Sequence, residues 1–205
     1  SEIATPSRVV AATGLRAKAL LKLGRFPEAK DVYSTVLEES KKLHGEQSEA
    51  IYGILENLGI IEAELNNYPE AERLLTLALE GRREIFGNDN DLTLSVLGNL
   101  ANVLFHLDKT EAAISAFEVV LENRRENKGA SHPQTLSVMG NLGAAYATIG
   151  NLGSAADIFN EVLAGQEKTL GLNHPNTLHT RYNLAMLLRD LNRLSEAEDL
   201  ARETL

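Results

Sequence analysis

Apolar and small residues return along this chain at one long interval. Set in register at 42 residues, Ala29, Ala71, Ala113, Ala155 and Ala197 form one column, and Leu37, Leu79, Leu121, Leu163 and Leu205 form another eight residues further on. A third column, Leu58, Leu100, Leu142 and Leu184, is followed each time by a small residue, Gly59, Ala101, Gly143 or Ala185. A small side chain beside a recurring leucine lets two helices approach closely, so these columns read as interhelix packing positions. A shared period of this length marks an array of one repeated unit, each burying its apolar face on its neighbours.

Polar positions punctuate the same pattern. Turns at Gly24-Arg25-Phe26, Asn66-Asn67-Tyr68, Asp108-Lys109-Thr110, Gly150-Asn151-Leu152 and Asn192-Arg193-Leu194 are rich in residues that tolerate a helix C-cap. A second boundary recurs at Gly45, Gly87, Gly129 and Gly171, followed by Ser48, Asn90, His132 and His174 as N-caps and then by Glu49, Asp91, Pro133 and Pro175. Proline at the first helical position forfeits no hydrogen bond, and a carboxylate there meets the positive end of the helix dipole. Each unit is therefore a helix, a tight turn and a second helix. The chain is expected to be one all-α array of five units, about 4–45, 46–87, 88–129, 130–171 and 172–205, the last incomplete. Thr5-Pro6 opens the first helix by the same device. Leu205 stops the fifth unit inside its second helix with no polar capping helix, so the natural protein is expected to continue, and self-association through that end is an alternative use of the surface.

Composition narrows the function. A net charge of −9 argues against a nucleic-acid partner, whose binding draws on lysine and arginine neutralising phosphates. No apolar run reaches the ~20 residues that span a bilayer, and no basic amphipathic segment suits a membrane surface. The absence of cysteine excludes disulfides, thiolate zinc sites and cysteine nucleophiles, and fits a reducing, cytoplasmic location. No phosphate loop, Gly-x-Ser-x-Gly elbow or His-Glu-x-x-His motif is present, so no enzyme activity and no cofactor are predicted. His174 and His179 lie five residues apart, which on a helix separates them by roughly 140°, so no metal site is predicted either. Arg82-Arg83 and Arg124-Arg125 recur at the ends of second helices, where cations meet the negative end of the dipole, and a stabilising role is the reading.

The small residue in the first helix, the alanine opening the second and the aromatic or leucine after it (Tyr33, Leu75, Phe117, Phe159) together resemble the tetratricopeptide repeat, lengthened to 42 residues. The linkers Gly129-Ala-Ser-His-Pro-Gln-Thr-Leu and Gly171-Leu-Asn-His-Pro-Asn-Thr-Leu resemble those of the kinesin-light-chain type. HEAT repeats have a similar period, but Asn-Leu-Gly/Ala in helix one and Glu-Ala in helix two favour the tetratricopeptide reading. The resemblance covers nearly the whole chain. It implies a right-handed superhelical solenoid that serves as a protein-binding scaffold or adaptor.

On such a solenoid the first helices line the concave wall, and Asn57, Asn99, Asn141 and Asn183 become a row of amides. Each amide offers two donors and an acceptor, which suits the backbone of an extended peptide. At ~10 Å between neighbouring helices, four rungs span roughly 30 Å, about nine residues of extended chain. In the families it resembles, this asparagine contacts bound peptide. The alternative is that each asparagine satisfies a nearby backbone carbonyl. Asn102, Ser95 and Ser137 neighbour the row, Lys18 and Lys22 project from the first helix and Arg189 from the last, and Phe105, His106 and Tyr182 offer aromatic contacts. The chaperone-tail clamp of some tetratricopeptide domains is not matched: its best register supplies Asn102 and Asn141, but Gly98, His179 and Asn183 stand where three cations belong. The function expected is a non-catalytic module that binds a peptide segment of a protein partner in its groove. The competing reading is a structural or regulatory arm that packs in cis or self-associates.

Overall fold

The structure, a computed structural model, describes residues 6–45 and 47–202, without the side chain of Pro6. Thr5 and Leu205 of the sequence pattern lie outside the described residues. Ten helices follow one another: α1 Pro6–Lys22, α2 Phe26–His44, α3 Glu49–Glu64, α4 Tyr68–Phe86, α5 Asp91–His106, α6 Thr110–Lys128, α7 Pro133–Thr148, α8 Leu152–Leu170, α9 Pro175–Asp190 and α10 Leu194–Arg202. No strand occurs among the described residues, and no helix there is long and apolar enough to cross a membrane.

The two kinds of boundary demand different backbones, which explains their different residue types. At the turn inside each helix pair, Gly24, Asn66, Asp108, Gly150 and Asn192 all take a left-handed conformation, with φ between 58° and 79°. The residue after four of them returns its N–H to a carbonyl five positions back, as in Asn67 to Glu62 at 2.8 Å and Arg193 to Leu188 at 2.8 Å. This is a Schellman closure, which asparagine and aspartate tolerate as well as glycine. Gly45, Gly87, Gly129 and Gly171 instead combine φ of 78–91° with ψ of 157–176°. That region is open in practice only to glycine, so the column at this boundary admits no substitute.

Helix starts follow the anticipated caps. Asn90 accepts from the Leu92 amide at 2.9 Å, and the Nδ1 atoms of His132 and His174 accept from Gln134 and Asn176, each at 3.2 Å. Ser48 sits at the N-cap of α3 but makes no side-chain cap bond.

The helices divide between two compact units, Ser1–Leu107 and Asp108–Leu205. In the first, Ala17, Leu20, Ala29, Tyr33, Ile54 and Leu58 belong to one core to which α1–α4 contribute. Gly59 shows why its column must stay small: a Cβ there would lie 2.6 Å from Leu75 Cγ. Gly81 on α4 is tighter still, since a methyl would fall within the ring of Tyr52 from α3. A buried carboxylate ties helices together. Glu62 receives the Lys30 ammonium at 2.8 Å and the Asn67 amide at 2.9 Å, and this hydrogen bond holds Lys30 above its ordinary pKa.

Arg82 corrects the sequence-based reading of its column. Its side chain is 5% exposed, pairs with Glu56 of α3 at 3.0 Å and donates to the Leu92 carbonyl at the start of α5 at 2.8 Å. It is a buried staple across three helices rather than a helix-end charge answering a dipole. Arg124, one period later, makes the corresponding bond to the Gln134 carbonyl at 3.1 Å.

In the second unit Ala155, Phe159, Leu163, Leu184 and Leu188 pack between α8 and α9. Gly143 lies against Phe159 and Gly165 against Leu136, where added Cβ atoms would meet the neighbours at 3.0 Å and 2.6 Å. A buried Arg181, 2% exposed, pairs with Glu167 at 2.7 Å. Thr93, Thr135 and Thr177, which the apolar columns did not single out, form a fully buried column of their own.

Candidate functional site

The four asparagines occupy equivalent positions on α3, α5, α7 and α9, and all four are half-buried. Two lie in each unit. Asn57 donates its amide to the Gly53 carbonyl one turn back on its own helix at 2.7 Å. Asn99 donates to the Glu56 carboxylate on α3 at 3.1 Å, and Ser95 donates to the same oxygen at 3.2 Å. In the second unit Asn183 lies 3.2 Å from His179 Nε2 on its own helix, and Asn141 is held on α7. Asn57 thus satisfies a neighbouring carbonyl, as one sequence reading allowed, whereas Asn99 is oriented by a neighbouring helix.

Glu56 is the link that sequence reasoning missed. One of its oxygens takes the Arg82 guanidinium from α4, and the other takes Ser95 and Asn99 from α5. The staple of the core and the orientation of Asn99 therefore share one carboxylate. A carboxylate only accepts, so the amide nitrogen of Asn99 must face Glu56 and its carbonyl oxygen is turned elsewhere.

A cavity of about 350 Å³ with a mixed polar and apolar lining opens on this side of the first unit. Asn99, Asn102 and His106 of α5 line one wall, and Ile60 and Glu64 of α3, Asn66 of the following turn and Tyr68 at the start of α4 line the other. The Tyr68 ring stacks on the His106 imidazole, centroids 4.8 Å apart and planes 11° from parallel, and Tyr68 donates its hydroxyl to Asn66 Oδ1 at 3.1 Å. Three of the residues singled out in the sequence thus meet in one cavity. Asn66 and Tyr68, read there only as turn residues, join them because the Schellman turn folds the start of α4 back beside α5.

The remaining candidates are placed separately. Lys18 and Lys22 are exposed on α1 and do not line this cavity. Ser137 is exposed on α7, and Tyr182 is 59% exposed on α9. Arg189, offered as a groove cation, holds the adjacent Asp190 at 2.8 Å. Among the described residues no group of three histidine or acidic side chains is gathered to hold a metal ion.

No curated protein matches this sequence. Solved structures are similar in fold. BtubC (BKLC) from P. vanneervenii superposes with a TM-score of 0.82 at 22% identity, covering 97% of this chain and 80% of that one. A Podosopora anserina protein described as a kinesin light chain with nearly identical TPR-like repeats gives 0.82 at 21% identity, covering 98% and 95%. NprR in complex with its cognate peptide NprX gives 0.69 at 18% identity, covering 99% of this chain and 56% of that one. The fold is thus an all-α solenoid of helix pairs. The family profile described as Tetratricopeptide repeat matches residues 8–84, 50–126, 92–168 and 158–205, and with that span the chain belongs to the tetratricopeptide repeat family, with a 42-residue period.

Proposed function

We infer that this chain is a non-catalytic interaction module that binds an extended segment of a protein partner along the first-helix faces, as an adaptor or scaffold. The tetratricopeptide repeat is in general such a module. The observation that carries the peptide reading is Asn99, an amide clamped through its nitrogen by Glu56 at the margin of a cavity. A preoriented amide binds peptide backbone without paying the ordering cost of a free side chain. That NprR, a protein of the same fold, has been observed with a cognate peptide is consistent with this use. Main-chain bonds to the asparagines would supply affinity and the spaces between them specificity, at a dissociation constant of about micromolar. Lack of cysteine suits work in a reducing compartment such as the cytoplasm.

A peptide-array screen against the wild-type chain and an Asn99→Ala/Asn141→Ala variant tests this. Peptides bound by the wild type and lost by a variant of unchanged helicity support the reading. No bound peptide, or peptides bound equally by both, would favour a structural arm that packs in cis or self-associates instead.

A further inference from the structure

We propose that the cavity between α3 and α5 is a subsite for a cationic side chain, arginine before lysine, of the bound peptide. This rests on the peptide-binding reading above and names the chemistry of one of its pockets. At about 350 Å³ the cavity is near the lower end of ligand pockets, which run ~300–1,000 Å³, and suits one long side chain rather than a whole ligand.

Its lining offers hydrogen-bond acceptors. Asn99 spends one N–H on Glu56, and its carbonyl oxygen, turned away from that carboxylate, is left to accept from a ligand. Glu56 itself is spent on Arg82, Ser95 and Asn99. Glu64 is different: at the last turn of α3 it borders the cavity, is exposed, and makes no ion pair among the described residues. Its carboxylate gives the cavity a negative charge that no neighbour neutralises by contact. A guanidinium fits these acceptors with a planar fork of donors, and its pairing with a carboxylate is charge-assisted.

The aromatic wall points to the same ligand. Tyr68 and His106, whose rings stack on each other, line the cavity together with Glu64. An arginine stacked on an aromatic ring still extends its donors sideways to a carboxylate; an ammonium makes the charge contact but not the stacking. A peptide carboxylate is disfavoured in this cavity by Glu64, and a purely apolar side chain would strip water from Glu64 and Asn99 without replacing its hydrogen bonds. The chain's net charge of −9 adds a general attraction for basic segments.

The test uses the full chain, its Glu64→Gln variant and Asn99→Ala. On a random decapeptide array, bound peptides are expected to share an arginine or lysine at one position, and Glu64→Gln to weaken those peptides about tenfold, the effect of losing one charge-assisted contact. Peptides without a basic preference, or with one that Glu64→Gln leaves intact, overturn the subsite; if Asn99→Ala still abolishes their binding, the peptide-binding reading stands alone. Should the array yield nothing, N-acetyl-arginine methylamide is titrated at millimolar concentration against the asparagine side-chain amide resonances. Shifts at Asn99 and Asn102 that are absent in Glu64→Gln and absent with N-acetyl-glutamate methylamide support the cation site. No shift with the arginine compound overturns it.

Discussion

Replacing Glu56 by alanine should destabilise the first unit far more than its half-buried position on α3 suggests. Arg82, its partner, is 5% exposed in its side chain and Glu56 15%, so the pair is shielded from water. With Glu56 removed, the guanidinium keeps its bond to the Leu92 carbonyl at 2.8 Å, while its Nε already lacks a partner. Breaking a buried pair from one side costs about 3–5 kcal/mol, and the residual opening at Glu56 places this site near about 3 kcal/mol. Ser95 and Asn99 are half-buried and can turn to water, so their lost bonds add little. In urea, with a slope of about 1.5 kcal/mol/M for a unit of this size, the transition should fall by about 2 M. Far-ultraviolet circular dichroism follows it, with Arg83→Ala, an exposed neighbour on the same helix, as a control expected to change stability by less than about 0.5 kcal/mol. The double variant Glu56→Leu/Arg82→Met, which removes both charges, should recover most of the loss. If Glu56→Ala moves the midpoint no further than Arg83→Ala, the pair is not a buried staple and the reasoning fails.

The close approach of α3 and α4 predicts that Gly81→Ala costs about 1–3 kcal/mol by driving a methyl into the Tyr52 ring, and that Gly81→Ala/Tyr52→Leu regains most of it in thermal unfolding. His132→Ala should cost about 1 kcal/mol through the lost cap on Gln134, whereas His132→Asn, the residue type that caps α5 at Asn90, should hold stability in the same assay. At φ 61°, Asn66→Val should lose at least about 1–2 kcal/mol and Asn66→Gly should not; equal denaturation midpoints for the two would contradict the left-handed turn.

Much of the fold was written locally and could be read without coordinates. The turn column of glycine, asparagine and aspartate and the second column of glycine alone report backbone dihedrals that only those residues reach. The N-caps at Asn90, His132 and His174 report hydrogen bonds made two residues away. These depend on a few adjacent residues, and a 42-residue period repeats them until they stand out. The small columns at Gly59 and Gly143 were legible for the same reason, although which side chain fills the space beside each was not. The period marked Asn99, and its aromatic ring singled out His106, but neither told what they touch. Tertiary packing decided that Arg82 answers a carboxylate on α3, that Glu56 turns Asn99, and that Tyr68 leaves its turn to stack on His106. Those pairings join helices through side chains several ångströms long. Their reach depends on the crossing of the helices and on which small residues let them close, and a linear pattern of residue types carries neither.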